Sequence, residues 1–271
     1  MKTAIAFHPW ITGAITLAIL AGLTACATSP TGRSQLKIFP GAEVAQMGTA
    51  AYAEMREQQP LITSGPMAAY VRCVADPMIR GVGGDWEVTL FDDDQVNAFA
   101  LPGNKIGIYR GLLGVAENQH QLAAVIGHEI AHVQADHGNE RISTQFATQA
   151  GMELAGAVAT GTAYGNQVMA ALGVGAQVGV LLPFSRAQET EADIIGLQIM
   201  ADAGFDPRES IDLWRNMNAA AGGDRPPDFL STHPGPTARI DVLEENMPDA
   251  LARREQARAA GRVPDCIPPR Q

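Results

Sequence analysis

The sequence has little positive charge. Lysine and arginine number 19 against 29 aspartates and glutamates, and the formal net charge at pH 7 is −10. Proteins that bind nucleic acid carry a basic patch that neutralises phosphates, and the sequence contains no such cluster. The composition therefore argues against nucleic acid as a partner.

The sequence also lacks a series of long apolar segments and any internal repeat. Residues 151–182 are rich in Gly and Ala, but Asn166, Gln167 and Gln177 interrupt them, which makes a poor bilayer span. A closely packed pair of helices and a flap near a membrane surface both stay open for this segment. An enzyme embedded in the membrane would need several spans. The 271 residues, 46% of them hydrophobic, are enough for one well-packed domain.

The first 25 residues are typical of an export signal. Lys2 supplies a positive start, residues 11–23 supply an apolar core, and Leu-Thr-Ala-Cys closes it at Cys26. This tetrapeptide resembles the lipobox of bacterial lipoproteins, which is cleaved before a cysteine that is then acylated. The alternative is an uncleaved membrane anchor, although the apolar run is short for a span. We therefore expect a signal peptide over residues 1–25 and lipidation of Cys26.

Two further expectations depend on the compartment. Ala27 stands where lipoproteins kept in the inner membrane commonly have an aspartate, so the resemblance implies the periplasmic face of the outer membrane. Cys73 and Cys266 are the remaining thiols. An oxidising periplasm permits a disulfide between them, but two unrelated, partly buried thiols fit the sequence equally well.

The hydrophobic pattern predicts an α+β fold that is mainly helical, with a small sheet or hairpin beside the helix that carries the metal motif. Pro102-Gly103-Asn104 between two short apolar strands indicates the hairpin. Its edge could bind an extended peptide, or the hairpin could be an ordinary half-buried meander. We expect a tether over residues 26–40, one catalytic domain over 41–247 and a charged tail over 248–271. Helical spacing is predicted over residues 42–58, 66–79, 186–203, 206–218 and 237–247, and from Asn118 to near Gly138.

The main functional motif is His128-Glu129-Ile130-Ala131-His132, within an apolar run. Two histidines at i and i+4 lie on one face of a helix. Two neutral imidazoles so placed can bind one Zn²⁺, and the glutamate after the first can deprotonate a water molecule. The motif predicts a zinc hydrolase.

A catalytic zinc needs a third protein ligand, for which Glu189 is the candidate. Asp193 lies one helical turn later on the same face, and it could accept the outer N–H of a ligating histidine and set its tautomer. Glu191 lies about 200° round the helix from Glu189 and is expected to point elsewhere. An acidic, solvated helix start is the alternative, but the metal motif favours the ligand interpretation.

The other histidines divide by position. His233 lies in a Pro-rich loop after the ligand helices, so it could stabilise the oxyanion or occupy the fourth position of the metal at rest. A loop histidine without a role is the alternative. His120 and His137 are expected at the surface or behind the ligands, since residue 137 lies five positions after His132 and off its face.

Together these motifs resemble the gluzincin peptidases of the CaaX-prenyl-protease and HtpX kind, most closely the soluble Oma-type lipoproteins of the bacterial periplasm. The resemblance rests on His-Glu-Ile-Ala-His at 128–132, Ser-Arg at 185–186 leading into Glu-Thr-Glu-Ala-Asp at 189–193, Thr-His-Pro at 232–234 before Arg239, and the segments at 31–36, 97–103 and 111–113.

The resemblance implies one Zn²⁺ per chain, bound by His128, His132 and Glu189, with Glu129 as general base and acid. It also implies that His233 lies near the metal, where it either gates the ion or stabilises the transition state. We expect Asp193 and Arg186 to lie behind the ligands and support them.

The predicted function is a zinc-dependent endopeptidase, tethered by lipid to the outer membrane, that cleaves unfolded or misassembled envelope proteins. A chaperone-like assembly factor of the outer membrane, with a structural or closed metal site, is the alternative. Glu129 favours the enzyme, because a structural zinc site needs no base beside it.

Overall fold

The computed structural model describes residues 26–160, 183–222, 227–234 and 236–269. The predicted signal peptide and residues 161–182 of the Gly- and Ala-rich segment lie outside these ranges. The described chain is mainly helical with two small sheets, which confirms the predicted α+β class. None of its helices is both long enough and apolar enough to cross a bilayer.

The described chain has the predicted hairpin and a helix in each predicted range, together with strands and helices that the sequence did not predict. The strands are β1 (Cys26–Thr28), β2 (Ser34–Leu36), β3 (Glu87–Phe91), β4 (Ala98–Leu101) and β5 (Lys105–Tyr109), and a 3₁₀ helix covers Arg110–Gly114. The helices are α1 (Gly41–Gln58), α2 (Gly65–Val82), α3 (Gln119–Gln134), α4 (His137–Thr160), α5 (Arg186–Asp202), α6 (Glu209–Ala221), α7 (Phe229–Thr232) and α8 (Pro236–Ala259).

Helix α3 lies at the centre of the core. It packs against α2, α5, α6 and strand β4, and its apolar residues from Leu122 to Ile130 are almost fully buried. Its closest neighbour is α5. A Cβ on Gly196 of α5 would lie 2.8 Å from the backbone nitrogen of His128, and one on Gly127 would lie 2.7 Å from the carbonyl oxygen of Gly196. The missing side chains let the two backbones touch, and the metal motif therefore lies directly beside α5.

The larger sheet has the order β3-β5-β4, with β5 parallel to β3 and antiparallel to β4. The β4–β5 pair is the hairpin that the Pro102-Gly103-Asn104 turn predicted. Gly103 and Asn104 have φ angles of 90° and 61°, in the left-handed region that glycine and asparagine adopt most readily. Strand β4 forms one edge of this sheet in the described chain and packs against α3.

The N-terminal segment differs from the expected tether. Residues 26–40 include the antiparallel pair β1–β2, which docks on the domain. Ser29 and Gln35 are buried, and the Gln35 amide donates a 2.6 Å hydrogen bond to the carbonyl of Ala135. The residues expected to form a tether are instead held by polar partners that lie 100 and 160 positions further along the chain.

The C-terminal segment also differs from the expected charged tail. Helix α8 does not end at Met247 but continues through Pro248 to Ala259, because Ala250 and Ala257 are buried on its inner face. Pro248 cannot donate a backbone hydrogen bond within the helix. The packing of α8 against α5 and α6 stabilises the helix by more than the loss of this hydrogen bond destabilises it. The coil that follows is joined to α2 by a disulfide between Cys73 and Cys266, one of the two possibilities that the sequence left open.

Candidate metal centre

Helix α3 presents His128 and His132 to the same point. The Asn118 side chain caps the helix by accepting hydrogen bonds from the backbone N–H groups of His120, at 2.9 Å, and Gln121, at 3.1 Å. One turn apart, the two ligand candidates have Nε2 atoms 3.0 Å from each other, and both side chains are buried. Burial lowers the pKa of both imidazoles well below its usual value, so both are neutral, as metal ligands must be.

Helix α5 adds a carboxylate to this pair. The helix begins with a reciprocal capping box between Ser185 and Gln188, which fixes the turn that carries Glu189. Glu189 Oε1 lies 3.4 Å from Nε2 of His132, and Oε2 lies 3.6 Å from Nε2 of His128. Burial by itself would raise the pKa of Glu189, but His233 and Arg239 outweigh it and hold the pKa well below the ordinary value.

His233 completes the cluster from the loop after α7. Its Nδ1 lies 3.0 Å from Glu189 Oε1 and 3.2 Å from His128 Nε2. One donor atom from each of these residues and from His132 lies within 4.8 Å of all the others. Three imidazoles and a carboxylate are the nitrogen and oxygen donors that Zn²⁺ binds, so the residues fit the ion. His233 was expected either to stabilise the oxyanion or to occupy the fourth position of the metal. Its place within the cluster fits the second role.

Glu129 lies beside the cluster without belonging to it. It is almost fully buried, and its Oε1 lies 3.5 Å from Nε2 of His233 but has no hydrogen-bond partner among the described residues. Burial raises the pKa of Glu129 to about 7, against the lowering effect of His233. A carboxyl group with a pKa near neutrality can both take and return a proton.

Behind the cluster, Asp193 and Arg239 form a buried pair. Arg239 donates to Asp193 from Nε at 2.7 Å and from Nη2 at 2.5 Å, its Nη1 lies 2.6 Å from Glu189 Oε2, and its guanidinium lies 3.7 Å from the centre of the Trp214 ring. Asp193 Oδ1 is also 3.2 Å from Nδ1 of His128.

The contacts of Asp193 bear on the tautomer of His128. Arg239 Nη2 lies 2.9 Å from the same His128 Nδ1. When Nε2 of His128 binds a metal, Nδ1 carries the proton and can donate it to Asp193. Arg239 is only a donor, so its contact with the protonated Nδ1 is not a hydrogen bond. This geometry fits the supporting role expected for Asp193.

Arg186 does not support the site. It is the first residue of α5, and its side chain is exposed rather than packed behind the ligands. The expected role was wrong because this position lies at the solvent end of the helix, one turn before the residues that face α3. Arg239, for which the sequence predicted no role, makes the contacts to Asp193 and Glu189 instead.

His137 and Glu191 form a second buried group next to the first. The helix that the sequence predicted up to Gly138 ends at Gln134, since Asp136 has a φ of 53°. His137 therefore begins a new helix and turns back toward His132, with 0% exposure. The spacing of a single helix could not predict this contact. Glu191 points away from Glu189 as expected, toward His137.

A cavity of about 340 Å³ lies next to the cluster. Its lining comes from α1, from Ala100 of β4 and the hairpin turn, from His132 and from α4. The cavity thus provides space beside one candidate metal ligand and beside the edge strand of the sheet.

Comparison with known proteins agrees with these features. Residues 67–247 match the model of peptidase family M48. The chain is 36% identical over 217 residues to mitochondrial metalloendopeptidase OMA1 of Schizosaccharomyces pombe, which covers 78% of this chain and 63% of the relative. It is 30% identical over 204 residues to the beta-barrel assembly-enhancing protease of Escherichia coli, covering 72% and 42%. With OMA1 of Danio rerio the identity is 32% over 262 residues, covering 90% and 55%. The chain thus spans about half the length of these relatives.

Proposed function

Because this chain belongs to peptidase family M48, we propose that it is a zinc-dependent metalloendopeptidase in which His128, His132 and Glu189 hold the ion. The observation that carries the proposal is the buried cluster of four donor residues with the carboxylate of Glu129 beside it, one oxygen of which has no hydrogen-bond partner among the described residues. A structural zinc site would not need this carboxylate.

Each residue has a distinct task in the proposed reaction. When bound, Zn²⁺ lowers the pKa of water and polarises the scissile carbonyl group. Glu129 takes a proton from the attacking water and returns it to the leaving amine. Asp193 holds the proton on His128 Nδ1, so that Nε2 stays free to bind the ion. In this conformation His233 would be the fourth donor to the ion, and it would have to move aside for water and substrate to approach.

Removal of the metal tests the proposed activity. We expect the purified chain to cleave casein, an unfolded protein, and to lose this activity when a strong chelator is added. Addition of one equivalent of zinc after removal of the chelator should restore cleavage. Casein cleavage that continues at full rate in the metal-free chain would contradict the proposal.

We further propose that the enzyme is anchored by lipid at Cys26 to the periplasmic face of the outer membrane and cleaves unfolded or misassembled envelope proteins. The export signal, the lipobox-like Leu-Thr-Ala-Cys and Ala27 support this location. The name of the Escherichia coli relative refers to β-barrel assembly, and β-barrels are structures of the outer membrane. The relatives named as mitochondrial are similar in sequence to this chain, but the location proposed here differs from theirs.

Replacement of Cys26 tests the anchor. In a bacterial host supplied with labelled palmitate, the wild-type chain should incorporate label and partition with outer membranes. The variant Cys26→Ser should incorporate none, whereas the control Cys73→Ser should remain labelled. The location is wrong if Cys26→Ser is labelled as strongly as the wild type.

A further inference from the structure

A series of buried hydrogen bonds runs away from the metal cluster behind His132. His132 Nδ1 lies 2.8 Å from Nδ1 of His137, and His137 Nε2 lies 3.1 Å from Oε2 of Glu191. All three side chains are at most 2% exposed. None of them can exchange these partners for water without opening the core.

The direction of each hydrogen bond follows from its ends. His132 points Nε2 at the cluster, so its proton must be on Nδ1, which donates to Nδ1 of His137. His137 then carries its own proton on Nε2 and donates it to the Glu191 carboxylate. A carboxylate only accepts, so Glu191 fixes the tautomer of His137, and His137 fixes the tautomer and ring orientation of His132.

Glu191 is itself held by the N-terminal turn, residues 29–33. The Thr31 hydroxyl donates to Glu191 Oε1 at 2.7 Å and the Thr31 backbone N–H at 3.2 Å, and Arg33 Nε donates to Oε2 at 3.1 Å. Arg33 also binds both oxygens of Glu140, at 2.5 and 2.6 Å. The turn is closed by hydrogen bonds between Ser29 and Gly32 and between Ser29 and Arg33.

We propose that the N-terminal turn positions the metal ligand His132, acting through Glu191 and His137. The inference rests on the proposed zinc site and adds a coupling between two parts of the chain that lie 160 residues apart at Thr31 and Glu191. Thr31 follows the proposed lipid anchor, Cys26, by five residues. The segment expected to be a passive tether is therefore part of the support of the metal centre.

The test measures zinc affinity in the full chain by competition with a chromophoric chelator. Outer partners of metal-binding histidines typically contribute about 10–100-fold in affinity, so His137→Leu and Glu191→Gln should each weaken zinc binding by about this factor. The variant His137→Asn should recover part of the loss, because its amide oxygen can still accept a hydrogen bond from His132. In the cobalt-loaded chain, the visible absorption bands should shift in the Leu and Gln variants.

A double variant tests the N-terminal turn without disturbing the core. Thr31→Val with Arg33→Met removes two donors to Glu191 and should weaken zinc binding by about tenfold. The matched control is Thr49→Val with Arg56→Met on α1, where the threonine hydroxyl donates to the carbonyl of Ala45 at 2.8 Å and the arginine pairs with Glu87. The control should bind zinc as tightly as the wild type.

Three results are decisive. The coupling is wrong if the Thr31/Arg33 double variant and Glu191→Gln both bind zinc as tightly as the control. It is supported if both lose affinity and shift the cobalt spectrum while the control does neither. A wild-type chain that binds zinc but cleaves no peptide would overturn the proposed function and leave the coupling to be judged by zinc affinity alone.

Discussion

Glu129→Gln is expected to bind one zinc ion per chain and to lose peptide cleavage. The amide keeps the size and shape of the carboxyl group but cannot take a proton from water. General acid–base catalysis typically contributes 10²–10⁴-fold, so kcat/KM for casein should fall by roughly this factor. Glu129 lies outside the set of donor atoms that the cluster directs at the ion. The substitution should therefore leave zinc content, measured by metal analysis, unchanged.

The control is Glu244→Gln, the same chemical change at an exposed position of α8. It should cleave casein at the wild-type rate. Wild-type activity in Glu129→Gln would remove the proposed general base. Loss of zinc together with activity would mean that Glu129 supports the ion rather than the proton transfer, and the mechanism would then be wrong.

Arg239→Met is expected to cause the largest loss of stability. Arg239 is 3% exposed, and its guanidinium faces both Asp193 and Glu189. Without the guanidinium, the carboxylates of Asp193 and Glu189 stay buried with no arginine to pair with. Breaking a buried ion pair in this way typically costs about 3–5 kcal/mol. Urea unfolding of the zinc-free chain should show a decrease of this size in the free energy of unfolding.

The matched control for Arg239→Met is Arg253→Met on the same helix. Arg253 pairs with Asp202 and Asp249 at the surface, where such pairs contribute about 0–1 kcal/mol. The prediction is wrong if Arg239→Met lowers the free energy of unfolding by no more than Arg253→Met does. The buried pair between Arg239 on α8 and Asp193 on α5 would then not stabilise the fold. Both variants remove one positive charge, so a difference between them reports the effect of burying the ion pair.

The sequence was sufficient to find the residues of the cluster because their chemistry leaves a local pattern. Two histidines one turn apart, and a glutamate and an aspartate one turn apart, each define a helix face. His233 had no such pattern of its own, and its proximity to the metal was predicted by resemblance. The structure brings His128, Glu189 and His233 within hydrogen-bonding distance or close to it.

The support of the cluster could not be read from local spacing. Arg239 contacts His128 across 111 residues, and Thr31 contacts Glu191 across 160. Such pairs depend on the tertiary fold, and no periodicity marks them. His137 was expected at the surface or behind the ligands, and its contact with His132 could not be predicted because the helix breaks at Asp136. Helix α8 was predicted too short because the packing that continues it past Pro248 leaves no local pattern in the sequence.

The chaperone-like alternative shares the fold and the metal but not the chemistry. A structural site has no use for a buried carboxylate with a pKa near 7 and a free oxygen beside the donors. The position of His233 fits a closed resting state in either case. The two functions therefore differ in whether peptide bonds are broken, which depends on Glu129.

The most direct measurement is the activity of the metal-free chain as zinc is added back. Casein cleavage by the wild type should rise in proportion to added zinc and stop rising at one equivalent, while Glu129→Gln takes up the same equivalent without cleaving. Full cleavage by the metal-free wild type, or equal cleavage by zinc-loaded Glu129→Gln, would contradict the assignment of this cluster as a catalytic zinc site.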